Sequence, residues 1–158
     1  MRVTIDRGEI VVSGPTVMDG YGGGAAAGGI WRTGDAGRFD AQGRLIVEGR
    51  LDDVIVTSQG RNIHPEWIES MLLADRRILR CAVVPGGSHP RAVVVPAAAG
   101  PWTDDPDTVV GGLCAEAPDY ARPRNSIVMW EADLVRHGLI TSSGRLRRRA
   151  IRNHLGEM

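Results

Sequence analysis

A chain of 158 residues, 42% of them hydrophobic, can bury one real core and leave room for a second small piece beside it. Its 19 basic and 19 acidic residues cancel, which removes the global field expected of a nonspecific nucleic-acid or anionic-membrane binder. No run approaches the ~18 apolar residues of a bilayer span, and the first residues, Met1-Arg2-Val3-Thr4, hold no signal-type apolar core, so a cytoplasmic protein is expected.

Residues 9–13 read as a strand ending at Gly14-Pro15, followed by a glycine-rich stretch, 20–29, expected to be a surface loop. Asp40-Ala41-Gln42-Gly43 forms a turn between short strands at 36–39 and 44–48, so residues 1–50 are expected to be small antiparallel β structure. A strand is predicted over 54–57 and a turn over 59–62, and Pro65 opens a helix whose Trp67, Ile68, Met71 and Leu72 share one face. Runs 79–85 and 91–97 predict a hairpin, 104–117 a helix, 126–130 a strand and 146–155 a terminal helix. Residues 51–158 are thus expected to be a compact α+β domain.

Every basic residue is Arg; the chain contains no Lys. Arg145, Arg147, Arg148, Arg149 and Arg152 make one basic cluster, but with only 4% aromatic residues the stacking platforms of a nucleic-acid surface are missing. His89, His137 and His154 have no partner at ligand spacing, so no metal site is predicted, and Cys81 and Cys114, in apolar runs, read as reduced core thiols.

Three blocks carry chemistry. Thr33-Gly34-Asp35 places a carboxylate on a tight turn, where it can accept hydrogen bonds from two vicinal hydroxyls. Gly49-Arg50-Leu51-Asp52-Asp53 puts a guanidinium beside a charged, exposed junction, and Arg50 read alone is a surface ion-pair partner of Asp52 or Asp53. Thr141-Ser142-Ser143-Gly144-Arg145-Leu146-Arg147-Arg148 closes the chain with a glycine turn and a cation. Between them lies Ser58-Gln59-Gly60-Arg61-Asn62-Ile63-His64-Pro65-Glu66-Trp67-Ile68-Glu69. Here Glu66 and Glu69 read alone as acidic residues favoured in a helix's first turns, and His64 as structural.

In this order, and with Gly8-Glu9, Gly14-Pro15 and Gly20-Tyr21 ahead of them, these blocks resemble the closing third of the adenylate-forming enzymes: acyl- and aryl-CoA synthetases, peptide-synthetase adenylation domains and luciferases. The resemblance implies the small C-terminal α+β domain of that fold, preceded by a β segment from the end of the N-terminal domain, with a hinge at Asp52. It gives Asp35 the ribose hydroxyls, places Arg50 near ribose and phosphate, and turns the loop of Gly60 and Arg61 toward CoA or a phosphopantetheine arm. Arg145 stands where the family usually carries its catalytic Lys, which meets the substrate carboxylate and the α-phosphate; Arg keeps the charge but is bulkier.

The family's phosphate-binding loop, adenine-stacking segment and acyl pocket have no counterpart in this sequence. ATP or AMP with Mg2+ would therefore be bound mainly by another part. Open strand edges in 1–50 predict a partner, either a separately encoded N-terminal adenylating subunit or a second copy, with an acyl carrier protein as a further candidate. Three alternatives remain at this stage: a component of a split acid–CoA or acid–carrier ligase that is inactive alone, a non-catalytic module docking a carrier protein, CoA or a full-length synthetase, and a remnant of a truncated gene.

Overall fold

The computed structural model describes residues 1–15, 17, 29–98 and 102–156. The chain divides into two compact units, Met1–Val54 and Ile55–Met158. Among the described residues no helix is long and apolar enough to cross a membrane.

In the first unit, β1 (Arg2–Asp6), β2 (Glu9–Ser13), β3 (Ile30–Phe39) and β4 (Leu45–Arg50) form an antiparallel sheet in chain order. Arg7 and Gly8 join β1 to β2 with both φ values positive, 51° and 83°, the connection whose twist suits a two-residue hairpin. The buried apolar residues here are Ile10, Val11 and Ala36. Gly37 is needed for this packing, since a Cβ on it would lie 2.7 Å from both Ile10 Cδ1 and the Ile46 carbonyl oxygen. Trp31 and Val47 stay 57% and 61% exposed, so this sheet buries little by itself. The glycine-rich loop expected at 20–29 lies, apart from Gly29, outside the described residues. A single 3-10 turn, Leu51–Asp53, follows β4, and Val54 N–H donates to the Leu51 carbonyl at 3.3 Å.

The second unit is α+β. A short ladder, β5 (Ile55–Val56) with β6 (Asn62–Ile63), leads into α1 (Pro65–Leu72), which Pro65 opens as the sequence predicts. The central sheet runs β7 (Ile78–Gly86), β8 (His89–Pro96), β9 (Ile127–Val128); β7 and β8 are an antiparallel hairpin, whereas β9 lies parallel to β8. Successive side chains of β7 and β8 point to opposite faces, and both faces are covered. Val83, Ala92 and Val94 pack with Ile68 and Leu72 of α1 and Val110 of α2 (Pro106–Leu113). Ala82, Val84, Val93 and Val95 pack with Leu134 of α3 (Glu131–Arg136) and Ile151 and Leu155 of α4 (Arg148–Gly156). Burial on both sides explains why these strands read as unbroken apolar runs, each fully buried Val contributing about 1.5–3 kcal/mol.

Two helices differ from their predicted spans. Asp105 caps α2 by accepting from Thr108 N–H at 2.9 Å, so the helix starts at Pro106, and Gly111-Gly112 weaken its last turn. The terminal helix begins at Arg148 rather than Leu146, because Leu146 pairs with Ile140 in an isolated antiparallel bridge.

Candidate functional site

Thr33-Gly34-Asp35 is not a turn ending a strand but a bulge inside β3. Pairing runs Val11 to Arg32 and Glu9 to Ala36, so three residues of β3 face Ile10 alone. Such a bulge bends the strand and re-aims its side chains. Three contacts hold it. Gly34 N–H donates to Glu9 Oε1 (3.0 Å), the Thr33 hydroxyl donates to the Ile10 carbonyl (2.9 Å), and Asp35 N–H donates to Thr33 Oγ1 (3.0 Å). Glu9 is itself fixed by Arg32, 2.6 Å away.

Arg50 completes the arrangement from β4, where it stands directly across the ladder from Asp35. Its Nη1 donates to Asp35 Oδ1 (2.9 Å) and to the Thr33 carbonyl (2.8 Å). The guanidinium lies over Gly34, at φ +73°, where a Cβ would come within 2.9 Å of Arg50 Nη2. The structure thus shows Arg50 paired with Asp35. The Asp35 side chain remains 34% exposed, and one of its two oxygens is engaged by Arg50, which leaves the other available to a hydroxyl donor. Asp52 is exposed in the turn that follows.

Residues 57–61 and 141–145 read Thr-Ser-Gln-Gly-Arg and Thr-Ser-Ser-Gly-Arg and share one construction. In each, Thr N–H donates to the Arg carbonyl (2.9 and 2.8 Å) and Gly N–H to the Thr carbonyl (2.9 and 2.9 Å). In each, Thr Oγ1 accepts from the Arg N–H (3.0 and 3.0 Å). Gly60 and Gly144 take φ of +72° and +81°, a region in which only Gly is unstrained. This is a three-residue hairpin loop closed by a glycine bulge. Residues 40–44, Asp-Ala-Gln-Gly-Arg, repeat it with Asp40 in place of Thr and Gly43 at φ +76°.

The three arginines end differently. Arg44 is gripped by Asp40 at 2.6 Å, and Arg61 lies 5.2 Å from the centre of the Tyr120 ring. Arg145 is exposed and its guanidinium has no hydrogen bond or ion pair among the described residues. Beside the loop of Gly60 and Arg61 is a cavity of about 270 Å3 lined by Ser58, Gln59, Ser88, His89 and Tyr120. A Cβ on Gly60 would meet nothing within 4 Å, so its φ is what requires glycine there.

Loop 141–145 sits on a stiff base. Arg80 from β7 lies over Gly144, with Nη2 2.9 Å from where a Cβ would be, and contacts Glu131 of α3 at 3.4 Å. Beyond the loop, Arg148 forms a two-point pair with Glu69 of α1 (2.9 and 3.0 Å) and reaches Glu66 at 3.6 Å, while Glu69 Oε1 also accepts from Val83 N–H at 2.8 Å. The Glu69 and Arg148 side chains are only 14% and 19% exposed. Glu66 does stand in the first turn of α1, whereas the helix-end reading of Glu69 gives way, since Glu69 is the bolt joining α1, β7 and α4. Burial, with Glu69 nearby, pushes the Cys81 thiol up to about 12, and burial also raises that of Cys114; both cysteines are free.

The structure thus brings Asp35 and Arg50 together in the first unit and puts Gly60, Arg61 and Arg145 on two matching loops of the second. Sequence reasoning missed Glu9, Arg80 and the Glu69–Arg148 pair. The repeated Asp/Thr-x-x-Gly-Arg pattern was a signal available in the letters alone. Among the described residues, no group of three or more His, Cys, Asp or Glu is placed to hold a metal ion.

The fold and the similarities to known proteins mark the chain as a fragment resembling AMP-forming acyl-CoA ligases. The chain belongs to the adenylate-forming acyl-CoA synthetase superfamily and corresponds to its C-terminal portion. It is 41% identical over 104 residues to a feruloyl-CoA synthase from Amycolatopsis sp, a match covering 58% of this chain and 21% of that enzyme. It is 34% identical over 135 residues to a 4-chlorobenzoate–CoA ligase from Arthrobacter sp, covering 81% of this chain and 24% of the other. Among solved structures, the o-succinylbenzoate CoA synthetase of Bacillus subtilis in complex with its acyl-adenylate intermediate superposes with a TM-score of 0.73 at 26% identity, over 95% of this chain and 33% of that one. The same enzyme has been solved with ATP and a magnesium ion. The chain therefore spans between a fifth and a third of the length of these relatives. No protein-family model matches it.

Proposed function

We propose that this chain is the C-terminal component of an AMP-forming acid–CoA or acid–carrier-protein ligase, inactive alone and completed by an adenylating portion that holds ATP, its Mg2+ and the acyl pocket. In the first half-reaction the acid's carboxylate attacks the α-phosphorus of ATP, forming the acyl-adenylate as pyrophosphate leaves. In the second, the thiol of CoA or of a carrier's phosphopantetheine attacks the acyl carbonyl and AMP leaves.

The observation that carries this reading is Arg145: a guanidinium without a partner among the described residues, held out on a loop closed by the N–H bonds of Thr141, Gly144 and Arg145. A cation on such a loop can offset the negative charge gathered by carboxylate and α-phosphate. Its planar fork can take one oxygen from each, where Lys would act as a point charge. Asp35 accepts from the ribose hydroxyls with its unengaged oxygen while Arg50 holds its carboxylate in place. The cavity beside Gly60 and Arg61 receives the pantetheine arm, with Tyr120 as an apolar wall. The turn at Asp52 serves as the hinge between half-reactions. The exposed Trp31 and Val47 belong to the surface that the adenylating portion, or a second copy, covers.

The test is carboxylate-dependent ATP–pyrophosphate exchange. The chain is assayed alone and with an adenylating N-terminal portion, either the product of the adjacent upstream gene or one taken from a relative. Exchange only in the pair supports the ligase; no exchange in either, across a broad panel of acids, removes it. A second reading, a non-catalytic module that docks CoA, a carrier protein or a full-length synthetase, draws on the cavity beside Gly60 being complete within the second unit. It is distinguished by carrier or CoA binding that survives Arg145→Ala with no exchange under any condition.

A further inference from the structure

A second cavity, of about 590 Å3, lies at the other side of the β7–β8 hairpin, between Pro85, Gly86 and Arg91 of the strands and Arg152, Asn153 and Leu155 of α4. None of the described residues lining it carries a carboxylate. Most ion-paired arginines of this chain meet an acidic side chain at 2.6–3.0 Å, as Arg32, Arg38, Arg44, Arg50, Arg77 and Arg148 do. Neither Arg91 nor Arg152 has such a partner among the described residues.

Arg91 is the sharper case. The backbone of Gly86 presses on the base of its side chain, so closely that a Cβ at Gly86 would stand 3.1 Å from Arg91 Cβ and 2.8 Å from the His89 carbonyl oxygen. The Nε–H is buried and finds no acceptor among the described residues.

We propose that this cavity binds a phosphate-bearing small molecule, gripped by Arg91 and Arg152, with Asn153 as a neutral donor and Pro85 and Leu155 against the ligand's organic body. Guanidinium groups match the oxygens of a phosphate in paired hydrogen bonds, and a phosphate monoester brings close to two negative charges to balance two positive ones. The volume exceeds what a bare phosphate fills and falls in the usual range for small organic ligands. The carbonyl end of α4 opposes an anion, but with partial charges against two full ones. The site rests on no part of the ligase reading, since its residues include none of Asp35, Arg50, Gly60, Arg61 or Arg145.

The experiment titrates the 15N-labelled full chain with inorganic phosphate, with AMP and with adenosine 3′,5′-bisphosphate, against sodium chloride at matched ionic strength. The readouts are the amides of Gly86, Gly87, Asn153 and Gly156 and the Arg91 Nε–H. Saturable shifts confined to these groups are expected, with binding weakened at least tenfold in Arg152→Ala, an exposed change that leaves the fold intact, and also in Arg91→Lys. Tighter binding of a nucleotide than of inorganic phosphate identifies an organic phosphate as the ligand; equal binding identifies phosphate alone. Shifts no larger than those with chloride, shifts spread linearly over many arginines, or equal affinity in Arg152→Ala would each overturn the site.

Discussion

Residues 40–44 in the first unit and 141–145 in the second share one backbone: the same closing bonds, a glycine at φ +76° or +81°, and a side-chain oxygen of the first residue accepting from the N–H of the last. They differ in what becomes of the arginine. Asp40 uses its second oxygen to seize Arg44, so that loop is closed on itself and ends as a hairpin connection. Thr141 has no second oxygen, and its hydroxyl is shared with Arg145 N–H and Ser143, so the guanidinium of Arg145 is left to face outward. One atom in the first side chain separates a structural loop from one that can offer its charge to a ligand.

The comparison breaks most severely at the base of the second loop. Replacing Glu69 by Gln removes the closest charge partner of the largely buried Arg148, leaving Glu66 at 3.6 Å, and a loss of about 3 kcal/mol in unfolding free energy is expected. Amide exchange should then quicken through 141–148 and stay unchanged through 40–44; equal behaviour of the two loops would show that the Glu69–Arg148 bolt does not support the Arg145 loop.

Next in size is the glycine pair. Gly43→Ala and Gly144→Ala both force a Cβ into the left-handed region, at about 1 kcal/mol each. Only at residue 144 does the new atom also meet Arg80, 2.9 Å away, whereas Gly43 faces open space. Thermal unfolding should therefore show the larger loss for Gly144→Ala, and in the double variant with Arg80→Ala that excess should vanish.

Alkali separates the units differently. The Cys81 thiol is raised to about 12 in the folded chain against an ordinary value near 9, so the folded state keeps a proton that the unfolded state releases. Its contribution is fully present below about pH 9 and is lost as pH rises toward 12, at no more than about 1.4 kcal/mol per pH unit. Cys81→Ala should flatten that slope, and Cys81 should resist alkylation in the folded chain at pH 8.

The smallest effect is on acidification. Backbone and side-chain hydrogen bonds from Arg44 hold the Asp40 carboxyl below the usual carboxylate range, so its support for loop 40–44 persists above that range and is lost as pH falls through the lowered value. Thr141 does not titrate. The Arg44 amide should shift at low pH, detectable by NMR, while the Arg145 amide should not.

Much of this fold was legible because its signals are local. Pro65 fixes a helix start, and the Val-rich runs of β7 and β8 are long enough to be read without knowing what covers them. What escaped is short or depends on distant partners. The helix α3 has six residues and one buried anchor, Leu134, too few for a period to show, and β9, though expected as a strand over 126–130, gave no sign that it would pair parallel to β8. The site divides in the same way. Asp35, Arg50, Gly60 and Arg145 stand in compact motifs, while Glu69 and Arg148 are 79 positions apart and nothing in either neighbourhood points to the other.

The central claim is that Arg145, left unpaired on its loop, completes the adenylation site. The direct measurement is ATP–pyrophosphate exchange by the assembled ligase carrying Arg145→Ala, with Arg44→Ala as the matched control on the twin loop. The account predicts a loss of about 10²–10³-fold for Arg145→Ala, substantial retention in Arg145→Lys, and wild-type exchange for Arg44→Ala, with folding unchanged in all three. Wild-type exchange in Arg145→Ala would contradict it.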